Sequence, residues 1–132
     1  MAIARAAGIE LTLEDISDIA ACTPLLARVY PNGMADVNQF HAAGGLSYLI
    51  GELLRGGHLH EDVQTISGKG LHNQVKEPKL NGETVTWEDA PTTPGSDKIL
   101  ATVDKPFSAD GGLRMLQGNI GRAVIKISAV KA

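Results

Sequence analysis

One segment of the chain has the hydrophobic spacing of an amphipathic helix. Leu46, Leu49, Ile50, Leu53 and Leu54 recur at i, i+3, i+4, i+7 and i+8, which places them on one face of an α-helix. A Gly-Gly pair precedes this run and a second pair follows it. Because glycine interrupts and closes helices, the pattern predicts a helix between the two pairs with this apolar face turned to the core.

Two further helices are predicted from their capping residues. Thr12 is followed by acidic residues, as expected of an N-cap and first turn, and predicts a helix over residues 13–22 that Pro24 brings to an end. Asp36 with Gln39 three positions later matches a capping box and predicts a helix that runs toward the first Gly-Gly pair.

Short apolar or alternating runs predict the strands. Asn81-Gly82 is a strong signal for a two-residue hairpin turn. Residues 90–97 are rich in Pro, Thr, Gly and Ser and predict a linker. The alternation of Ala123, Ile125, Ile127 and Ala129 predicts a late strand with Lys126 on its other face. The remaining strands are predicted at 25–30, 63–66 and 99–103, and the late one spans 122–130.

Composition limits the classes of protein to which the chain can belong. Its 132 residues suffice for one well-buried domain, and 43% of them are hydrophobic, as in globular proteins. The net charge of −3, with no basic stripe, disfavours a nucleic-acid partner. No apolar run approaches a membrane span, and a single cysteine fits a reducing compartment. We expect no membrane partner and a cytoplasmic location.

Several short motifs favour structural interpretations. The turn Ser67–Gly70 lacks the Gly-Lys-Ser/Thr sequence of a phosphate loop and is predicted to be an ordinary turn. The cluster His58, His60, Glu61 and Asp62 has no further ligands at metal-site spacing, which favours a solvated connection. A lone cysteine cannot hold an iron–sulfur cluster, and Cys22 is predicted to be a small half-buried core residue.

The least ordinary stretch spans residues 30–45. It places Asp36, Asn38 and His41 around a turn and a helix N-terminus, a geometry suited to binding an anion. Asn38 and His41 lie three positions apart and share a helix face. The spacing alone leaves two interpretations equally supported, namely a binding site or an ordinary capped helix.

In this stretch the sequence resembles the 6-phosphogluconate dehydratase branch of the dihydroxy-acid/phosphogluconate dehydratase family. The segments that carry the resemblance are distributed along the chain from residue 24 to residue 130, in the family's order. They are Pro24–Gly33, Ala35–Asn38, Phe40–Gly45, Leu59–Val63, Asp104–Ser108, Gly111–Arg114, Gly118–Ile120 and Ala123–Val130.

The resemblance implies a hydro-lyase of the Entner–Doudoroff pathway that converts 6-phosphogluconate to 2-keto-3-deoxy-6-phosphogluconate with an iron–sulfur cluster. It implies that the cluster cysteines lie upstream and the catalytic serine downstream. We therefore expect an excised interior segment, inactive alone, with neither catalytic residues nor a bound cofactor. The apparent cut of a helix at Met1 and of a strand at Lys131-Ala132 supports this expectation.

The resemblance also implies a fold class, α/β or α+β. Residues 1–90 would form the end of the cluster-binding α/β domain, 91–98 a linker, and 99–132 the first strands of a β-rich C-terminal domain. Asp36, Asn38, His41 and Lys126 are the residues we expect nearest the substrate, although a structural role is equally open for all four. We expect a homodimer. The alternatives are the dihydroxy-acid dehydratase branch and a non-catalytic assembly module.

Overall fold

A computed structural model describes residues 1–130, so Lys131 and Ala132, where the predicted late strand was expected to be cut, lie outside the described residues. The contacts divide the chain into two compact units, one formed by Met1–Leu25 with Phe107 onward and the other by Leu26–Pro106. In chain order, the elements are α1 (Ala2–Ala6), α2 (Leu13–Cys22), α3 (Val37–Ala42), α4 (Gly45–Arg55), β1 (Gln64–Thr65), β2 (Gly68–Lys69), β3 (Lys76–Asn81), β4 (Thr84–Asp89), β5 (Leu113–Gly118) and β6 (Gly121–Lys126), with 3₁₀ helices at Leu71–Gln74 and Ile127–Ala129.

The mixed helix and strand composition confirms the expected fold class. The strands described form three separate antiparallel pairs, β1–β2, β3–β4 and β5–β6. The assignment of residues 1–90, 91–98 and 99–132 to domains of the family stays a prediction. Within residues 1–130 no helix is long and apolar enough to cross a bilayer.

In the first unit, α2 packs against the β5–β6 hairpin. Thr12 caps α2 as predicted, because its hydroxyl accepts the Asp15 backbone N–H at 3.1 Å and the Asp15 carboxylate accepts the Thr12 backbone N–H at 2.8 Å. The Ser17 hydroxyl accepts the Met115 backbone N–H at 3.3 Å, which ties the helix to β5. A local capping box therefore begins α2, and contacts with residues about a hundred positions further along the chain stabilise it.

In the second unit, the core forms where α4 meets the segment around Leu100. Tyr48 and Leu100 are fully buried, and Ala43 completes the cluster with Phe40 and Ile99 packed against it. The predicted capping box at Asp36 and the helix between the two Gly-Gly pairs are both confirmed.

The apolar stripe predicted for α4 is half-buried rather than fully buried, since Leu49, Ile50, Leu53 and Leu54 are of intermediate exposure. Tyr48 and Glu52, rather than the leucines, are the large side chains that α4 buries, and Leu46 is 61% exposed. The glutamate can be buried because Arg55 and the Val103 backbone N–H both bind its carboxylate. Hydrophobicity along the sequence did not contain this information.

Three predicted strands differ in detail. Residues 25–30 form isolated bridges at Leu25, Ala27 and Val29 rather than a continuous strand. Residues 99–103 form a turn with isolated bridges. The late strand ends at Lys126 and continues as a 3₁₀ helix, so the predicted alternation does not extend to Ala129.

The hairpin predicted at Asn81-Gly82 is present with its turn displaced by one residue. Asn81 pairs with Thr84, which leaves Gly82 and Glu83 as the two loop residues. Gly82 has φ +63°, whereas no residue other than glycine has positive φ in the part of the chain described. A two-residue loop with glycine first matches a type II′ turn rather than the type I′ turn that Asn-Gly favours.

Candidate functional site

Asp36 starts α3 and is engaged as its N-cap. Its carboxylate accepts the Gln39 backbone N–H at 2.8 Å, and the Gln39 side chain accepts the Asp36 backbone N–H at 2.9 Å. Asn38, in the first turn of the same helix, is exposed. Both interpretations offered by the sequence are compatible with this arrangement, since a capping carboxylate keeps one oxygen available.

At the junction of α3 and α4, the backbone packs closely against the backbone of the segment around Gly95. Gly44 and Gly45 have φ +127° and +58°, the left-handed region that glycine adopts without strain. The Gly95 backbone N–H donates to the Ala43 carbonyl at 2.8 Å, and a Cβ at Gly95 would lie 3.2 Å from the Ala42 carbonyl oxygen. Glycine at position 95 therefore allows the predicted linker to lie directly against the junction.

A cavity of about 270 Å³ opens beside this junction. Its lining combines the end of α3, the start of α4, β3 and the linker segment, through His41, Gly44, Glu77, Lys79, Thr93 and Gly95. Of the four residues expected nearest the substrate, only His41 lines this cavity. Lys126 is exposed at the end of β6 and belongs to the other unit.

Lys79, like Glu77, is a charged residue of this cavity that the sequence did not single out. Its Nζ lies 3.0 Å from Glu77 Oε2, and the hydrogen bond with Glu77 raises the pKa of the lysine. The ammonium group is therefore charged at every pH near neutrality. The hairpin signal at Asn81-Gly82 could have indicated that Lys79 lies on a strand, but not that Lys79 lines the same cavity as His41.

A second cavity of about 350 Å³ lies along α4, lined by Tyr48, Glu52, Arg55, Thr92 and Thr102 among others. The Glu52 carboxylate accepts Arg55 Nε at 3.1 Å and Nη2 at 2.8 Å, as well as the Val103 backbone N–H at 2.7 Å. The hydrogen bond with Arg55 holds the pKa of Glu52 below its ordinary value despite burial. Burial and the nearby Glu52 charge raise the pKa of Tyr48.

The other side chains that could bind a metal ion or act as a nucleophile do not form a cluster in the part of the chain described. Glu61 Oε1 contacts His72 Nδ1, and its hydrogen bond with His72 lowers the pKa of the glutamate. Cys22 is exposed, with its thiol donating to the Ile19 carbonyl at 3.3 Å, so the prediction that it is half-buried is wrong. Among residues 1–130 no group of three or more His, Cys, Asp or Glu side chains could hold a metal ion.

Comparison with known proteins agrees with the resemblance seen in the sequence. The model of the dihydroxy-acid/6-phosphogluconate dehydratase N-terminal family matches residues 1–74. A phosphogluconate dehydratase of Rhizobium meliloti is 60% identical over 99% of this chain, and one of Pseudomonas aeruginosa is 54% identical over 98%. A dihydroxy-acid dehydratase of Caldanaerobacter subterraneus is 36% identical over 98%. The chain spans about a fifth of the length of these relatives, 21–22%.

Proposed function

The chain belongs to the dihydroxy-acid/6-phosphogluconate dehydratase family, and we propose that it contributes to the dehydration of 6-phosphogluconate to 2-keto-3-deoxy-6-phosphogluconate. This is a hydro-lyase reaction of the Entner–Doudoroff pathway. The observation that carries the proposal is the difference in identity, 54–60% to two phosphogluconate dehydratases against 36% to a dihydroxy-acid dehydratase, over nearly the whole chain in each case.

The iron–sulfur cluster that the family resemblance implies does not fit this chain's donor set. Such clusters are held by several thiolates, or by thiolates with two histidines, and the chain has one cysteine. That thiol is exposed, at the end of α2. We therefore assign no catalytic step to these residues. The contribution proposed for them is to shape the substrate pocket and to bind the substrate.

The residues proposed nearest the substrate are Asp36, Asn38, His41 and Lys126. The cavity beside the α3–α4 junction supports His41, because the imidazole and the Lys79 ammonium group line the same cavity. A sugar acid phosphate is anionic at both ends, so groups that donate hydrogen bonds or carry positive charge are the ones it requires. Glu77 in the same cavity balances Lys79 and would have to be displaced from it by an anion.

A segment exchange tests the proposal directly. The matching residues of the Rhizobium meliloti dehydratase are replaced by this 132-residue chain, and the purified hybrid is assayed anaerobically with 6-phosphogluconate and with a dihydroxy acid. We expect the hybrid to dehydrate 6-phosphogluconate at a rate within about tenfold of the parent rate. If the segment folds in the hybrid as it does in the parent, the contacts that stabilise the transition state are preserved. The matched control carries the corresponding segment of the dihydroxy-acid dehydratase.

Two outcomes would contradict the proposal. A folded hybrid that prefers the dihydroxy acid would favour the other branch of the family. Turnover by the isolated 132-residue chain with stoichiometric iron would show that these residues hold the cluster themselves. We also propose a cytoplasmic location and a homodimeric enzyme, which fractionation and sedimentation of the hybrid's parent would test.

A further inference from the structure

The β3–β4 hairpin has one apolar face and one polar face. Its register pairs Leu80 with Val85 and Pro78 with Trp87, so these four side chains lie on the same side of the ribbon. Leu80 is 75% exposed, Val85 55% and Trp87 62%. Pro78 is exposed as well. The apolar face is therefore turned to solvent.

Part of the opposite face is turned toward its own unit, whereas the rest of it is exposed. Glu77 and Lys79 alternate with the apolar residues along β3, and both line the cavity beside the α3–α4 junction. Only 14% of the Glu77 side chain is exposed. A surface hairpin ordinarily buries its apolar face and solvates its polar one, whereas here a glutamate is the least exposed residue of β3 and β4 and the apolar residues are exposed.

The hairpin is supported at its base, where the Ser47 hydroxyl donates to the Lys76 carbonyl at 3.1 Å and β3 contacts the 3₁₀ helix Leu71–Gln74. Within residues 1–130 neither β3 nor β4 pairs with a third strand. An isolated two-stranded hairpin is marginally stable in water and requires further strands or packing against another element. An exposed apolar patch that includes a tryptophan is typical of a protein–protein contact.

We propose that this apolar face docks against an apolar surface elsewhere in the same dehydratase polypeptide, with Trp87 inserted as the central contact. The inference rests on the proposed function. The chain spans 21–22% of its relatives' length, so in those proteins about four fifths of the polypeptide is available to cover the face. A covalently attached partner binds at high effective concentration and needs little area.

The small area argues against a second copy as the occupant. Even with about 150–250 Å² from Trp87, the four residues offer roughly 500 Å² per copy, whereas a stable complex buries about 800 Å² per partner. The central four residues carry no charge, and Lys76 and Asp89 at the open end of the ribbon lie 4.0 Å apart as an ion pair. The surface that covers the face should accordingly be apolar rather than charged.

Hydroxyl-radical footprinting of the segment-exchange hybrid tests the proposal. Oxidation of Trp87 is measured by mass spectrometry in the isolated chain, where this residue is the single tryptophan, and in the hybrid. We expect oxidation in the hybrid to be about tenfold slower, as for a residue that moves from surface to interior. Val85→Lys on the apolar face should restore fast oxidation, whereas Thr84→Lys on the opposite face should not.

The readouts separate this inference from the proposed function. Equally fast oxidation of Trp87 in an active hybrid would overturn the docking surface and leave the function standing. Protection that appears only as protein concentration rises would assign the face to a second copy and also overturn the proposal. An inactive hybrid in which Trp87 is protected would retain the docking surface and count against the function.

Discussion

Replacing Glu52 with glutamine should destabilise the unit formed by Leu26–Pro106. Glu52 is 7% exposed, and its carboxylate binds both Arg55 and the Val103 backbone N–H, so it joins α4 to a segment 51 residues further along the chain. Glutamine preserves the shape and one acceptor oxygen but removes the charge. It cannot accept both hydrogen bonds from the guanidinium and the backbone donor as a carboxylate does.

The expected loss follows from the strength of hydrogen bonds to charged groups, about 1.5–3 kcal/mol. The lower half of that range applies, because Arg55 is 48% exposed and keeps a second partner in Asp104 at 2.7 Å. We therefore expect the free energy of unfolding at pH 7 to fall by about 2 kcal/mol. Urea unfolding followed by circular dichroism at 222 nm measures it, with the exposed Glu83→Gln as the control.

The pH dependence gives an independent test. The pKa of Glu52 is lowered in the folded protein, so its stabilisation is fully present above the unfolded value near 4.5 and is lost as pH falls through the lower folded value. The difference in the free energy of unfolding between Glu52→Gln and the parent should therefore become smaller as the pH is lowered. A variant as stable as the parent at pH 7, or a deficit that is unchanged at low pH, would refute the reasoning.

Three further predictions each concern a single feature of the structure. Tyr48→Phe removes a buried hydroxyl that has no hydrogen-bond partner in the structure and should raise stability by up to about 1 kcal/mol, whereas a loss in thermal unfolding would show that the hydroxyl is satisfied. Asp36→Ala should cost about 1 kcal/mol and Asp36→Ser much less, because serine also caps helices, and equal losses would contradict the capping role. Gly33→Ala should destabilise by about 1–3 kcal/mol because its Cβ would lie 2.5 Å from the Arg28 carbonyl oxygen, while Gly118→Ala, with open space around it, should be near neutral in the same urea titration.

The local features of the fold could be predicted because their causes lie within a few residues. Thr12 and Asp36 cap helices through hydrogen bonds to residues three positions away, and both boxes are formed. The helix between the two Gly-Gly pairs and the β3–β4 hairpin are likewise encoded by neighbouring residues. The family resemblance, which depends on the order of residues alone, also agrees with the comparisons.

Burial and the composition of the cavities required the tertiary structure. The leucine pattern of α4 did not indicate that Glu52 is buried, because this burial depends on a backbone donor at Val103. Lys79 and His41 line one cavity because β3 lies near the α3–α4 junction. Hydrogen bonds between residues close in the sequence are determined by the local sequence. The face that a helix or strand buries depends instead on which distant residues pack against it and bind its polar groups.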